Sequence, residues 1–172
     1  NGYNRQLDQI PPFDVAKAKA LLAEAGFPEG FSVRLDCSRG RYTRDEAICQ
    51  ALVGQLAQIG IKLDLAVMSR EDHIAMIRTT PPPTDFYLLG WSASFFDSQN
   101  LFAALYATRS RDTGLSNATR YSNPEVDRLT KELVGQTDFV KRNQNIGQLW
   151  RIVSEDGIYV PLHLQTIAYA MK

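Results

Sequence analysis

Two short β patterns flank one amphipathic helix between Phe31 and Val67, and this spacing limits the fold more than any other feature of the chain. Phe31, Val33, Leu35 and Cys37 alternate with Ser32, Arg34 and Asp36, the period of two expected of a strand with one buried face. After the turn Ser38 to Tyr42, Thr43 and Glu46 have the spacing of a capping box. The helix they open points Ile48, Ala51, Leu52, Leu56 and Ile59 inward and stops at Gly60. A second strand is expected over Ile61 to Val67. Strand, helix, strand at this spacing is a βαβ unit, so the two strands should run parallel with a right-handed crossover.

A parallel sheet places its ligands outside the carboxyl ends of its strands. The stretch that meets this rule best is Asp85 to Leu101, DFYLLGWSASFFDSQNL. It starts as an apolar strand, passes Gly90, spills Trp91, Phe95 and Phe96 into a loop with Ser92 and Ser94, and enters a helix near Asp97. Arg41, Tyr42 and Arg44 stand at the turn that follows the first strand, on the same expected edge. By pattern alone, these rings and cations serve equally well as core caps and solvated turn residues.

Elsewhere the elements are ordinary. Asp14 is an N-cap for a helix over Val15 to Ala25, stopped by Gly26. Ser69 with Asp72 caps a short helix through Ile77, and three prolines at 81 to 83 end it. Ala107 to Tyr121 is polar and unpatterned and reads as a surface excursion. Ser122, Asn123, Pro124 and Glu125 start a helix carrying Val126, Leu129, Leu133 and Val134. Thr137 or Asp138 caps the next, and Ile158 to Leu164 and Thr166 to Met171 read as closing strands.

Composition and motif searches narrow the chemistry. Lys and Arg number 19 and so do Asp and Glu, and a net charge of zero argues against nucleic acid or an anionic membrane as the main partner. No apolar run reaches the length of a membrane span, and Asn1 to Ile10 is too polar for a signal peptide. Gly90-Trp91-Ser92-Ala93-Ser94 approaches a nucleophile elbow, but Ser94 stands where the tight turn needs glycine. No glycine loop with a following lysine cradles phosphate. Asp45, Glu46, Glu71 and Asp72 sit at helix starts, where the dipole accounts for them. Asn117-Ala118-Thr119 matches a glycosylation acceptor. Cys37 and Cys49, with His73 and His163 as the only histidines, are too sparse for a zinc cage, so no metal or cofactor is expected. The two cysteines either pair, closing a loop worth about 3 kcal/mol, or remain buried thiols.

Five segments resemble one family in its own order. They are FDVAKAKALLAEAGFPEGF (Phe13 to Phe31), DEAICQALVGQLAQIGIKLDL (Asp45 to Leu65), DFYLLGW (Asp85 to Trp91), RYSNPEVDRLTKEL (Arg120 to Leu133) and EDGIYVPLHLQ (Glu155 to Gln165). Together they are similar to the C-terminal lobe of the family 5 extracytoplasmic solute-binding proteins of dipeptide, oligopeptide and nickel ABC importers. The resemblance implies an α/β, type II periplasmic-binding-protein-like lobe, a mixed sheet flanked by helices, occupying residues 1–172 with hinge connections near both ends. It further implies a periplasmic, non-enzymatic protein that captures a small polar solute against a missing N-terminal lobe and delivers it to ABC permease subunits.

In peptide-binding relatives the third position after the tryptophan is commonly an aspartate that pairs with the ligand's amino terminus. Here it is Ser94, which disfavours an unmodified peptide by about 1.5–3 kcal/mol of lost charge-assisted bonding. Asp97 either substitutes for it or caps the next helix. Trp91, Phe95 and Phe96 suit flat or apolar ligand faces such as sugar rings, while Arg41, Tyr42 and Arg44 suit an anionic or polar group. The rival readings are an α/β hydrolytic enzyme with its site at the end of strand 85–91 and the ligand-sensing domain of a regulator.

Overall fold

The computed structural model describes residues 5, 11–79, 81–92 and 97–165 of the chain. Its centre is the expected βαβ unit. Strand β1 (Ser32–Ser38) leads into helix α2 (Asp45–Ala57), after helix α1 (Val15–Glu24), and returns as strand β2 (Lys62–Met68). The strands pair in parallel from Ser32 beside Lys62 to Ser38 beside Met68. Gly30 and Gly60 make this register possible. Both have positive φ, and a Cβ on Gly30 would lie 2.1 Å from the Gly60 carbonyl oxygen, so the two strand entries touch backbone to backbone.

Helix α3 (Arg70–Arg78), capped by the Ser69 hydroxyl, packs against β1 and precedes the short strand β3 (Phe86–Tyr87). Here β3 pairs in parallel with the other side of β1, giving the order β2-β1-β3. The Asp85 carboxylate accepts the Arg34 main-chain N–H at 2.8 Å, and the Leu88 N–H reaches the Asp36 carbonyl at 3.0 Å, which extends this pairing at both ends. Sheet pairing among the described residues is parallel throughout; a mixed sheet is not seen there.

The rest is helical. Helix α4 (Ser98–Leu101) runs directly into a π-helical segment, Phe102–Tyr106, followed by α5 (Pro124–Leu133) and α6 (Phe139–Glu155). Asn123 caps α5 with Pro124 at its first position, and Asp138, not Thr137, caps α6. Two apolar clusters result. One joins Leu35, Cys37 and Cys49 with Leu52, Leu63, Leu65 and Leu88 between sheet and α2. The larger one packs Phe102, Leu105 and Tyr106 against Val126, Leu129, Leu133, Ile146, Leu149 and Val153.

Several sequence expectations are corrected. The capping box does not form. Arg44 takes the N-cap position of α2 in the left-handed region (φ 60°) with no side-chain cap, and Glu46 pairs instead with Arg39. Ala51 is exposed, and Cys49 takes the buried position on α2. Residues 107–121 are not a mere excursion. Asn117 is buried, donates to the Ala107 and Tyr121 carbonyls at 2.9 and 2.8 Å, and accepts from Thr119. With its amide so engaged it is closed to glycosylation. Ile158 to Leu164 forms no strand; Ile158 and Tyr159 pack on the helical cluster instead. The closing segment Thr166 to Met171 lies outside the described residues.

Candidate functional site

The turn after β1 is shaped by one carboxylate. Asp45, at the first position of α2 and buried, accepts N–H bonds from Gly40 (3.2 Å), Arg41 (2.9 Å), Tyr42 (3.2 Å) and Glu46 (3.0 Å), and a hydroxyl bond from Ser38 (3.1 Å). Burial alone would raise its pKa. The Arg41, Tyr42 and Glu46 amides and the Ser38 hydroxyl outweigh that effect and hold it below the usual carboxylate range. The result is a loop whose amides converge inward, with Arg41 and Tyr42 half-buried and Arg44 exposed.

Beneath the turn Cys37 and Cys49 are joined as a disulfide, both fully buried, with Cα atoms 6.7 Å apart. This resolves the pairing in favour of the bridge and ties the carboxyl end of β1 to the first turns of α2.

Tyr42 carries the turn across to β3. Its hydroxyl donates to the Gly90 carbonyl at 3.3 Å, and its ring lies so close that a Cβ on Gly90 would approach it to 2.7 Å. Glycine at 90 thus suits the close approach of the Tyr42 ring, and any larger residue would push that ring aside. The Arg41 guanidinium sits 5.0 Å from the centroid of the same ring, and its Nη1 is buried without a hydrogen-bond partner. Immediately beyond Gly90, Trp91 is 41% exposed and Ser92 is exposed. Arg41, Tyr42, Gly90 and Trp91 thus form one surface at the carboxyl ends of two neighbouring parallel strands. Arg44 is exposed at the edge of this group. Ser94, Phe95 and Phe96 lie outside the described residues.

Asp97 is committed elsewhere. Its carboxylate caps α4 by accepting the Gln99 N–H at 2.9 Å and binds the Arg142 guanidinium of α6 at 2.8 Å. The capping alternative is the one the geometry supports, and a ligand ammonium would have to compete with an arginine already in place.

Three features of the site were not singled out in the sequence. Asp36 is fully buried mid-strand and gripped by the Arg34 guanidinium at 2.8–3.0 Å; its opposite-charge partner two residues away on the same face was the available signal. His73 of α3 is fully buried with neither ring nitrogen in a hydrogen bond. Tyr87 and Tyr159 face each other, and burial pushes both hydroxyls' pKa upward. No group of three His, Cys, Asp or Glu able to hold a metal occurs among the described residues, and no described helix is long and apolar enough to cross a membrane. A shallow depression of about 370 Å³ lined by Glu29, Gly30, Phe31, Ser32, Gly60 and Lys62 lies at the other, amino-terminal end of β1 and β2. Its mouth is open and it contains none of the rings or cations described above.

The parallel α/β sheet with its flanking helices has the fold seen in periplasmic binding proteins. Residues 1–112 match the family described as bacterial extracellular solute-binding proteins, family 5 middle, and the chain belongs to that family, one of extracellular binding proteins rather than enzymes. It is 28% identical over 162 residues to the glutathione-binding protein GsiB of Escherichia coli K12, covering 92% of this chain and 31% of that protein. Among solved structures it is similar to DppA of Helicobacter pylori in complex with the peptide STSA (27% identity, TM-score 0.77, 94% of this chain and 30% of that one). It is also similar to AgaA of A. tumefaciens R10 in complex with agropinic acid (25% identity, TM-score 0.78, 91% and 31%). The chain therefore spans about 31% of the length of the curated relatives it matches.

Proposed function

We propose that this chain is the C-terminal lobe of an ABC importer's solute-binding protein and forms one wall of the ligand cleft. An N-terminal lobe supplies the other wall, and the closed form docks on the permease. The observation that carries this reading is the Tyr42–Gly90 contact. It fuses the β1–α2 turn to the end of β3, so that the Arg41 cation and the Trp91 ring are presented together at the edge where parallel sheets bind ligands.

The ligand is a small polar solute. The half-buried Arg41 cation over the Tyr42 ring favours an anionic or strongly polar group, and Trp91 favours a flat or apolar face. Ser94 in place of an acidic residue, and Asp97 held by Arg142, leave no free carboxylate in these two positions for a peptide ammonium. A modified peptide, an opine-like acid or a sugar acid fits better than an unmodified peptide. The similarity to proteins whose names record glutathione and agropinic acid supports the same range.

The test is to purify the full-length two-lobed protein, extract what copurifies with it, weigh it by mass spectrometry, and measure its binding by calorimetry. Arg41→Ala is expected to weaken binding by about tenfold to a hundredfold. This chain alone, with half of the contacts, is expected to bind a micromolar ligand only near the millimolar range, about −4 kcal/mol. Micromolar binding by the lone lobe, or an Arg41→Ala variant that binds as tightly as wild type, would sink the proposal.

A further inference from the structure

The turn that presents Arg41 lies near a buried imidazole whose hydrogen bonding is incomplete. His73 of α3 is fully buried, neither ring nitrogen makes a hydrogen bond of good geometry, and only a weak contact with the Asp36 main chain stands beside it. Buried polar side chains are almost always satisfied, so an unsatisfied imidazole is costly and calls for an explanation. Its charged neighbours are Asp36 on β1, Asp45 at the start of α2, and Arg41 on the turn itself. Asp36 is held in a forked contact by Arg34, and Asp45 is held by the amides of Gly40, Arg41, Tyr42 and Glu46. With a neutral ring the group is balanced: two carboxylates, Asp36 and Asp45, against two guanidinium groups, Arg34 and Arg41. A proton on His73 adds an uncompensated charge where water cannot reach it, beside an arginine whose Nη1 is itself buried and unpartnered.

We propose that His73 is a positioning residue that keeps the Arg41 turn in its observed conformation only while its ring is neutral, so that acidification releases the turn. The direction follows from surroundings that disfavour a charged ring. Burial, with Arg41 adding to it, lowers the His73 pKa below its ordinary value, and the Asp36 main chain and the two carboxylates only partly oppose this. Releasing the turn relieves this cost, because opening it hydrates both Arg41 and the imidazole. It also breaks the Tyr42–Gly90 contact, and with it the joint presentation of Arg41 and Trp91. This consequence for binding rests on the function proposed above; the movement itself does not.

The experiment is therefore run on the chain without any ligand. Hydrogen exchange of the Gly40, Arg41 and Tyr42 amides, all bonded to Asp45, is followed from about pH 7.5 to 5 and corrected for intrinsic exchange, alongside an NMR titration of the His73 ring. In the wild type, protection of the three amides should fall by about tenfold as His73 titrates, and His73 should titrate below the ordinary histidine value of 6.5. In His73→Gln, which stays neutral, protection should be independent of pH over this range. His73→Leu replaces it if the glutamine variant does not fold. Flat protection in the wild type, an equal loss in the neutral variants, or a His73 ring that titrates at or above 6.5 would each overturn the proposal. A turn that opens as described while ligand affinity stays constant with pH would instead count against the binding role of the turn.

Discussion

Around the π-helical segment, α5 and α6, the buried side chains form a mainly apolar cluster, from Phe102 and Tyr106 through Leu129 and Leu133 to Ile146 and Leu149, with Thr130 and Asn145 the buried polar side chains of α5 and α6 among the described residues. Under β1 only Leu35, Cys37 and Cys49 play that part, and Asp36, Ser38, Asp45 and His73 are buried beside them. The first region is stabilised by packing, the second by a covalent bridge and a network of hydrogen bonds around two carboxylates. Burying polar groups costs free energy unless each is partnered, so a region that tolerates them is held to a particular shape rather than to maximal stability. The helical region anchors the chain, and the sheet end holds in place the turn on which the proposed ligand wall depends.

Truncation in the helical cluster should break the fold most severely. Leu149→Ala or Leu129→Ala removes a fully buried side chain and is expected to cost about 2–5 kcal/mol in chemical denaturation, with no change specific to the turn. A loss below about 1 kcal/mol would mean that the helical region is not the anchor. Next comes the bridge. Replacing both Cys37 and Cys49 by Ser opens a loop of sequence separation 12 and should cost about 2–4 kcal/mol. This loss should be matched by reducing the wild type.

Asp45→Asn is expected to cost less, about 1–3 kcal/mol, because the amide retains one acceptor oxygen for the N–H groups that the carboxylate now receives. The pH dependence has a definite sign. The Asp45 pKa is lower in the folded chain than its ordinary value of 3.8, so the stability it contributes is present above that value and is lost as pH falls through the lower folded value. The wild type should therefore show a steeper loss of stability than Asp45→Asn below about pH 4, as measured by denaturant titration across pH.

Much of the scaffold was legible because it is local. The strand alternation around Leu35, the helix-stopping Gly60 and the return over residues 62–68 depend on neighbours in sequence, and so does the Asn123-Pro124 start of α5. The misreadings fell where a distant group won. Thr43 and Glu46 have box spacing, but Asp45 captures the turn's amides and Arg39 captures Glu46. The polar run 107–121 looked exposed, yet its Asn117 amide folds inward onto the carbonyls at the two ends of the run, those of Ala107 and Tyr121. Ile158 to Leu164 has the composition of a strand, but its first residues pack on α6 instead of joining a ladder among the described residues. The candidate site was legible in part. Trp91, Arg41 and Tyr42 were marked by their place at strand ends, but no periodicity reveals that a lone histidine on α3 lies beneath them, or that Tyr42 rests on Gly90.

That last contact gives the smallest expected change in stability and the sharpest separation of the two regions. A Cβ at position 90 would come within 2.7 Å of the Tyr42 ring, too close to tolerate, but the obstructing atoms belong to a half-buried side chain that can swing away. Gly90→Ala should accordingly cost no more than about 1 kcal/mol, since no core packing is lost. The Trp91 indole N–H resonance should shift while that of Trp150, packed on Phe102 at 4.8 Å in the helical cluster, stays in place. Tyr42→Phe serves as the control. It deletes only a 3.3 Å hydroxyl bond and keeps the ring, so it should move the Trp91 signal far less than Gly90→Ala does. If Gly90→Ala instead destabilises the chain as much as Leu149→Ala, the sheet end is part of the anchor and the division between the two regions fails. If neither variant moves the Trp91 signal, the turn and the end of β3 are independent surfaces, and the ligand wall assembled from them falls apart.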